Sequence, residues 1–305
     1  MPASIPHANP QNAVTAKYSI STVGLVVRQD RLAPAVALGV NLCNWIKSQG
    51  LQAIADPPTA ELIGATPTDP SEFTLLADLI VVLGGDGTLL GVARHIGERE
   101  SPILGINLGG LGFLTEVTTE EALATLARVL SGDFEVDRRI MLEAEVERSD
   151  GFGGKTKECF RGLNDVVIVK RTTGRMFEMN VVADHTPFCS YRADGLIIAT
   201  PTGSTAYALS AGGPIVYPNL GVLVLAPICP HTLSVRPVVL PDSFHLEIRV
   251  KTLDDNEAIL TCDGQESACF GTSDVIHIRR CPHAVALVRS THPYFEIWRN
   301  KLHWG

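Results

Sequence analysis

A chain of 305 residues exceeds the usual reach of one hydrophobic core, so two domains are expected; 45% apolar against 19% charged residues supplies both cores and excludes general disorder. The formal net charge of -8 removes the electrostatic basis for duplex DNA or an anionic membrane as partner, so any phosphate site must be local. Seven cysteines without a C-x-x-C pair, and His231, His283 and His292 outside any zinc spacing, suit a reducing cytoplasm.

Residues 1–16 are rich in Pro, Ala and Asn without periodicity and are expected to be a mobile tail. Neither a signal peptide nor an apolar run of membrane-spanning length is seen, so a cytosolic location is expected. From Ser21 the pattern is strand, helix, strand. Val23 to Val27 is a short apolar run; Leu32 to Gln49 carries Leu38, Leu42, Trp45 and Ile46 at helical spacing, and Gly50 closes it. Asp78 to Leu83 is a second run, followed by Gly84-Gly85-Asp86-Gly87-Thr88 and a helical stretch reaching towards Gly97. Ile103 to Asn107 is a third strand, and Thr118-x-x-Glu121 is a capping box before a helix over Ala122 to Leu130. Alternating strands and helices imply an α/β N-terminal domain with a mainly parallel, three-layer sheet.

Past Gly132 the period changes to two. Leu142, Ala144 and Val146 alternate with Glu143, Glu145 and Glu147, and Met179 to Ala183, His245 to Lys251 and Val275 to Arg279 are also extended. A β-rich, mostly antiparallel, sandwich-like C-terminal domain is expected, with the boundary near residues 130–136. Pro293 to Trp304 offers Phe295, Trp298 and Leu302 on one helix face, a packing stripe.

Chemistry concentrates where buried strands end in glycine turns. After Leu79 to Leu83, glycines let backbone N–H groups approach a phosphate, and the following helix N-terminus adds positive potential. A carboxylate in such a loop repels phosphate unless it binds a metal or accepts a proton from an attacking hydroxyl. The alternative is an ordinary turn with Asp86 capping its helix. Neither the P-loop nor the G-x-G-x-x-G fingerprint is present. Asn107 to Thr115 opens a second glycine-rich loop, and Asn164-Asp165 sets an amide beside a carboxylate, suited to an adenine edge or a ribose hydroxyl, or else simply to a turn. Asp194 to Pro214 runs from a strand through Thr200, Thr202, Ser204 and Thr205 into a helix, a hydroxyl-rich N-terminus of the kind that holds phosphate.

With these segments the chain closely resembles the NAD kinase family. The matches are Gly84 to Thr88, Asn107 to Thr115, Asn164-Asp165, Asp194 to Pro214, the Pro227 to Pro237 segment with His231, Ser234 and Arg236, and Asp263-Gly264-Gln265, in the family's order. The resemblance implies a tail (1–16), an α/β domain (17–132), a β-rich NAD-binding domain (133–286) and a C-terminal segment (287–305) packing back on the first. It implies transfer of the terminal phosphoryl group of ATP, or another donor, to the ribose 2'-hydroxyl of NAD. Asp86 would be catalytic. NAD would be met by Asp86, Gly87, Phe113, Asn164, Asp165, Arg192, Asp194, Thr205, Ala206, Tyr207, Ser210 and Gln265. Gly84, Gly85, Gly87 and Thr88 would hold the donor's phosphates. Mg2+ or another divalent cation would arrive on those phosphates, with contact to Asp86 as an option. A homodimer or homotetramer is implied, Tyr207 being placed to reach a neighbouring subunit's site. Asn164-Asp165 stands where the family commonly has Asn-Glu, and the shorter acid could alter a hydrogen-bond length.

Catalysis of this kind rests on alignment and charge neutralisation, in an expected cleft where Asp86 and the 194–210 stretch meet. Lys170, Arg192 and Arg236 are candidate phosphate cations, each equally readable as a surface charge. A lipid or sugar-phosphate kinase with the same turn would need an apolar entry or an arginine cluster, and neither is evident. A non-catalytic dinucleotide sensor would not need Asp86.

Overall fold

The computed structural model describes residues 18–28, 30, 33–110, 112–149, 154–171, 177–251 and 258–304, so the expected tail, Leu32 and Leu111 lie outside the described residues. These residues form two compact units, one within 1–89, 96–138 and 285–305, the other within 90–95 and 139–284.

The first unit opens with β1 (Thr22–Val27), α1 (Ala33–Ser48) and β2 (Gln52–Ala55). Gly50, at φ 76, takes the left-handed turn that ends α1. There follow α2 (Pro57–Ile63), β3 (Thr66–Pro67), α3 (Pro70–Leu76), β4 (Leu79–Leu83), α4 (Asp86–Ala93), β5 (Ile103–Ile106) and α5 (Ala122–Leu130). The strands lie in the order β3-β2-β1-β4-β5, every pairing parallel. Leu287 then adds a parallel pairing with Ile103.

Why β4 reads as an unbroken apolar run follows from its position: central strands of a parallel sheet are covered on both faces. Leu79, Val81 and Leu83 pack with Leu42, Cys43 and Ile46 of α1, with Ala60 and Ile63 of α2, and with Leu126 and Val129 of α5. The opposite face meets Phe73 of α3 at Gly24 and Leu89 of α4 at Gly105. Helices therefore cover both sides, the three layers expected. The capping box also forms: the Thr118 N–H donates to Glu121 Oε2 at 3.1 Å and the Glu121 N–H to Thr118 Oγ1 at 3.4 Å.

Two helices differ from expectation. α4 stops at Ala93 rather than near Gly97. At the C-terminus, α7 (Tyr294–Leu302) buries Ile297 and Trp298, while Phe295, expected on the packed stripe, is 58% exposed and touches Trp298 only edge-on. Tyr294 and Trp304 also meet Trp298 edge-on, so Trp298 is the centre of the aromatic contact. Ser290 Oγ donates to Glu116 at 2.7 Å and His292 pairs with Glu121 at 3.3 Å, tying this segment beside the 107–117 loop.

The second unit is antiparallel. β6 (Val136–Ser149), β7 (Lys155–Gly162), β8 (Asp165–Lys170), β9 (Glu178–Ala183), β10 (Thr186–Arg192) and β11 (Gly195–Ala199) precede a short α6 (Tyr207–Ser210). β12 (Val222–Ile228), β13 (Val238–Pro241), β14 (Leu246–Lys251), β15 (Ala258–Cys262), β16 (Glu266–Phe270) and β17 (Val275–Val288) complete it. One layer holds β10-β9-β14-β17 with β6 and β7; the other runs β13-β12-β11-β8-β15-β16. They face each other across Leu142, Ala144, Met179, Val181, Ile248 and Ile276 on one side and Val166, Ile168, Leu196, Ile198, Leu223 and Leu225 on the other. Alternate residues of the second layer, Val167, Ile197 and Val224, are buried under Ala208 and Val216. Cover on both faces explains the continuous apolar runs of β8, β11 and β12. Among the described residues no helix is long and apolar enough to cross a membrane.

Candidate active site

In the first unit the glycine turn leaves the C-terminal end of β4, where the Gly84 N–H donates to Ile106 O and the Thr88 and Leu89 N–H groups donate to Gly85 O, starting α4. The end of β4 is thus the carboxyl edge of a parallel sheet, the usual ligand side. Asp86, half-buried at the first position of α4, turns towards the neighbouring loop. Its Oδ2 accepts from the Phe113 N–H at 2.9 Å; its Oδ1 accepts from the N–H groups of Leu114 and Thr115, both at 3.1 Å, and from the Thr115 hydroxyl at 3.0 Å. Asn107 holds that hydroxyl from behind, Nδ2 to Oγ1 at 2.8 Å.

A Cβ built on Gly112 would stand 2.1 Å from Asp86 Oδ1, so only glycine lets the loop come this close. Around Gly85, by contrast, nothing lies within 4 Å of such a Cβ, which leaves free space over the turn. The reading of Asp86 as a helix cap is not what the structure shows: all four of its bonds go to residues 113–115. The glycine turn pointed to Asp86 and the family resemblance to Phe113, but neither pointed to Thr115 and Gly112 as the groups that hold the carboxylate.

In the second unit Asn164 and Asp165 stand at the start of β8. Asp263, at φ 51 beyond β15, clamps them: it accepts from the N–H groups of Leu163 and Asn164 at 2.8 Å and of Asp165 at 3.1 Å. Asp165 is 5% exposed. Burial pushes its pKa up to about 7, and the Asp263 carboxylate adds to the effect. Burial raises Asp263 too, against the pull of its three N–H donors. The Asn164 side chain is half-buried, and no hydrogen bond of its amide occurs among the described residues. Gly203 presses on this turn so closely that a Cβ there would lie 2.0 Å from the Asn164 carbonyl oxygen.

The hydroxyls of the 200–205 block are each engaged within the second unit. Thr200 donates to Leu163 O at 2.6 Å, Ser204 to Pro201 O at 2.6 Å, Thr205 to Thr202 O at 3.2 Å, and buried Arg139 reaches Thr202 at 3.3 Å. Thr200, Ser204 and Thr205 thus donate to backbone carbonyls and Thr202 accepts from Arg139, and α6, four residues long, has too few aligned peptides for a useful dipole. Ala206 is half-buried, whereas Tyr207 (46% exposed) and Ser210 face outward.

The candidate cations are all occupied. Lys170 pairs with Asp194; Arg192 pairs with Glu178 at 3.4 Å; Arg236 folds onto the carbonyls of Leu233 and Val235. The exposed His231 contributes its backbone N–H to Arg192 O at 2.9 Å. Gln265 accepts from Arg94, which also pairs with Glu266 at 3.4 Å.

Residues 23–134 match the family described as ATP-NAD kinase N-terminal domain, and residues 163–290 match ATP-NAD kinase C-terminal domain. Over 276 residues the chain is 45% identical to a protein named NAD kinase from Citrifermentans bemidjiense, covering 89% of this chain and 94% of that protein. The chain belongs to the NAD kinase family. Another NAD kinase, from Geobacter sulfurreducens, is 45% identical over 266 residues, 87% of this chain and 92% of that one. Among solved structures, a yeast NADH kinase complexed with NADH superimposes with TM-score 0.85 at 26% identity, over 94% of this chain and 88% of its own. An NAD kinase from Archaeoglobus fulgidus in complex with ATP gives 0.72 at 24% identity, over 93% and 100%, a likeness of fold. For this NAD kinase family member, the two clusters above carry the motifs singled out from sequence: Asp86 on its glycine loops, and Asn164-Asp165 clamped by Asp263. In the sequence Asp263 stands only as part of a motif; the signal for its role is an Asp-Gly turn directly after a buried strand.

Proposed function

We propose that this protein transfers the terminal phosphoryl group of ATP to the 2'-hydroxyl of the adenosine ribose of NAD, giving NADP. The observation that carries the reading is the 45% identity to proteins named NAD kinase along 94% of their length. The geometry supplies the chemistry. Asp86 Oδ1 has three donors and is fully engaged, whereas Oδ2 has one and keeps lone-pair capacity. Oδ2 is therefore the atom that accepts the ribose hydroxyl's proton, and the three N–H groups and one hydroxyl hold the carboxylate in place. General-base help of this kind is worth on the order of 100- to 10,000-fold.

The donor phosphates lie over Gly84, Gly85, Gly87 and Thr88, where the open space above Gly85 suits them. Asn164 serves the adenosine part through its free amide; Asp165, Arg192, Asp194, Thr205, Ala206, Tyr207, Ser210, Phe113 and Gln265 complete the NAD contacts. Asp86 Oδ1 is saturated, so any contact of Mg2+ with Asp86 would fall to Oδ2. A divalent cation is needed as the counter-ion of the ATP phosphates and is assigned no protein ligand. The seven cysteines, all free, suit work in a reducing cytoplasm, and a homo-oligomer using the exposed Tyr207 is part of the proposal.

Purified protein with ATP, Mg2+ and either NAD or NADH, read out by an NADP-specific dehydrogenase, tests the reading. ATP-dependent NADP formation is expected. No phosphorylated dinucleotide from either acceptor would sink it.

A further inference from the structure

The outer face of the layer formed by β14, β17, β6 and β7 carries a second concentration of chemistry, unconnected with phosphoryl transfer. Strand alternation puts Leu142, Ala144 and Val146 of β6 into the core and Glu143, Glu145 and Glu147 outward; on β17 it puts Ile276 and Ile278 inward and His277 outward. β6 lies between β17 and β7, so His277 stands beside the glutamate row. One ligand atom each from Glu145, Glu147 and His277 lies within 4.8 Å of the others. His277 Nδ1 is shielded from solvent and has no hydrogen-bond partner. Its ring stacks on His245, centroids 5.2 Å apart and planes 18° apart, which fixes its orientation.

We propose that Glu145, Glu147 and His277 form a binding site for a divalent transition-metal ion, of which Zn2+ is the best match. Two carboxylates and one imidazole suit a borderline cation, and strand positions hold them without a mobile loop. Zn–N and Zn–O bonds of about 2.0–2.2 Å require the ligand atoms to close in by roughly 1 Å, within reach of glutamate rotamers. Lys157 faces Glu145 and Lys155 faces Glu147. Those lysines are the competitors. Lys155 pairs with Glu147 at 2.6 Å and Lys157 with Glu145 at 2.8 Å, but they are 63% and 54% exposed. Glu147 and Glu145 are only 16% and 19% exposed, but with both lysine ends in solvent the pairs are weak enough for a divalent ion to compete with them.

The cysteines set the specificity of the test, because exposed thiols also bind zinc and Cys159 Sγ lies 3.8 Å from Glu145. The full chain, stripped with a chelator and desalted, is titrated with Zn2+ alone in competition with a chromophoric chelator, and separately with Co2+ to read ligand type. One equivalent of Zn2+ is expected, with a cobalt spectrum free of thiolate charge transfer. Binding should weaken by more than about tenfold in His277→Gln and in Glu147→Gln. Lys155→Met, which removes the competitor, should tighten it. Unchanged affinity in both ligand variants, no stoichiometric binding, or a thiolate band at the first equivalent overturns the proposal.

Discussion

Oδ1 of Asp86 accepts two hydrogen bonds from Thr115, one from its backbone N–H at 3.1 Å and one from its hydroxyl at 3.0 Å. The residue placed at the chemistry is thus also the residue that organises its neighbouring loop, and any substitution of Asp86 has two effects to separate.

Asp86→Asn puts an amide NH2 against backbone donors. Turnover should fall by about 100- to 10,000-fold. The loop should lose on the order of 1–3 kcal/mol, visible in urea unfolding, because one donor of residues 113–115 loses its acceptor. Near-normal kcat would remove Asp86 from the reaction.

Thr115→Val keeps the shape and the N–H but deletes the hydroxyl that bridges Asn107 and Asp86. Oδ1 keeps two donors, so the carboxylate stays in place but is less fixed. A bond to a charged group is worth roughly 1.5–3 kcal/mol, and the loss should appear as kcat reduced by about tenfold with KM for NAD unchanged. A change confined to KM would contradict the positioning role.

Gly85→Ala and Gly112→Ala form a contrasting pair. The first places a methyl in open space and should leave the melting temperature unchanged while raising KM for ATP, if donor phosphates occupy that space. The second drives a Cβ onto Asp86 Oδ1 and should abolish turnover together with loop order. Unaltered ATP kinetics in Gly85→Ala would move the phosphates elsewhere.

Asp165 gives a pH signature. Its carboxyl keeps its proton in the folded protein up to about pH 7, whereas the unfolded chain releases it near the ordinary value of 3.8. Between those values the folded state binds more protons, so stability falls as pH rises from about 4 to about 7 and levels off above. Asp263, raised in the same direction, adds to the slope. Asp165→Asn removes the ionisation and should flatten the dependence, gaining on wild type at pH 8 but not at pH 4. Equal urea midpoints for the two proteins at pH 8 would show that the carboxyl is not held protonated.

Elements with a strong local signal could be read from the chain alone. β4, β8 and β11 are continuous apolar runs because their sheets are covered on both faces, and the outward glutamates of β6 mark a strand with one wet face. The capping box at Thr118 and Glu121 is a purely local device and forms as read. α2 and α3, seven residues each, were not singled out, although Asp69-Pro70 starts α3 with a side-chain cap to the Ser71 N–H at 2.8 Å. One or two turns contain too few residues for helical periodicity to stand out.

The sequence by itself determined the family and the fold class and singled out Asp86 as the proposed reactive carboxylate, because these rest on residue types at fixed spacings and on burial patterns within single elements. The tertiary structure alone decided which groups hold Asp86, that Asp263 clamps Asn164-Asp165, and that Thr200 bonds the Leu163 carbonyl while Ser204 and Thr205 bond their own turn. A hydrogen bond between positions 86 and 115, or 263 and 164, depends on where two distant strands end side by side, and one-dimensional spacing carries no information about that register.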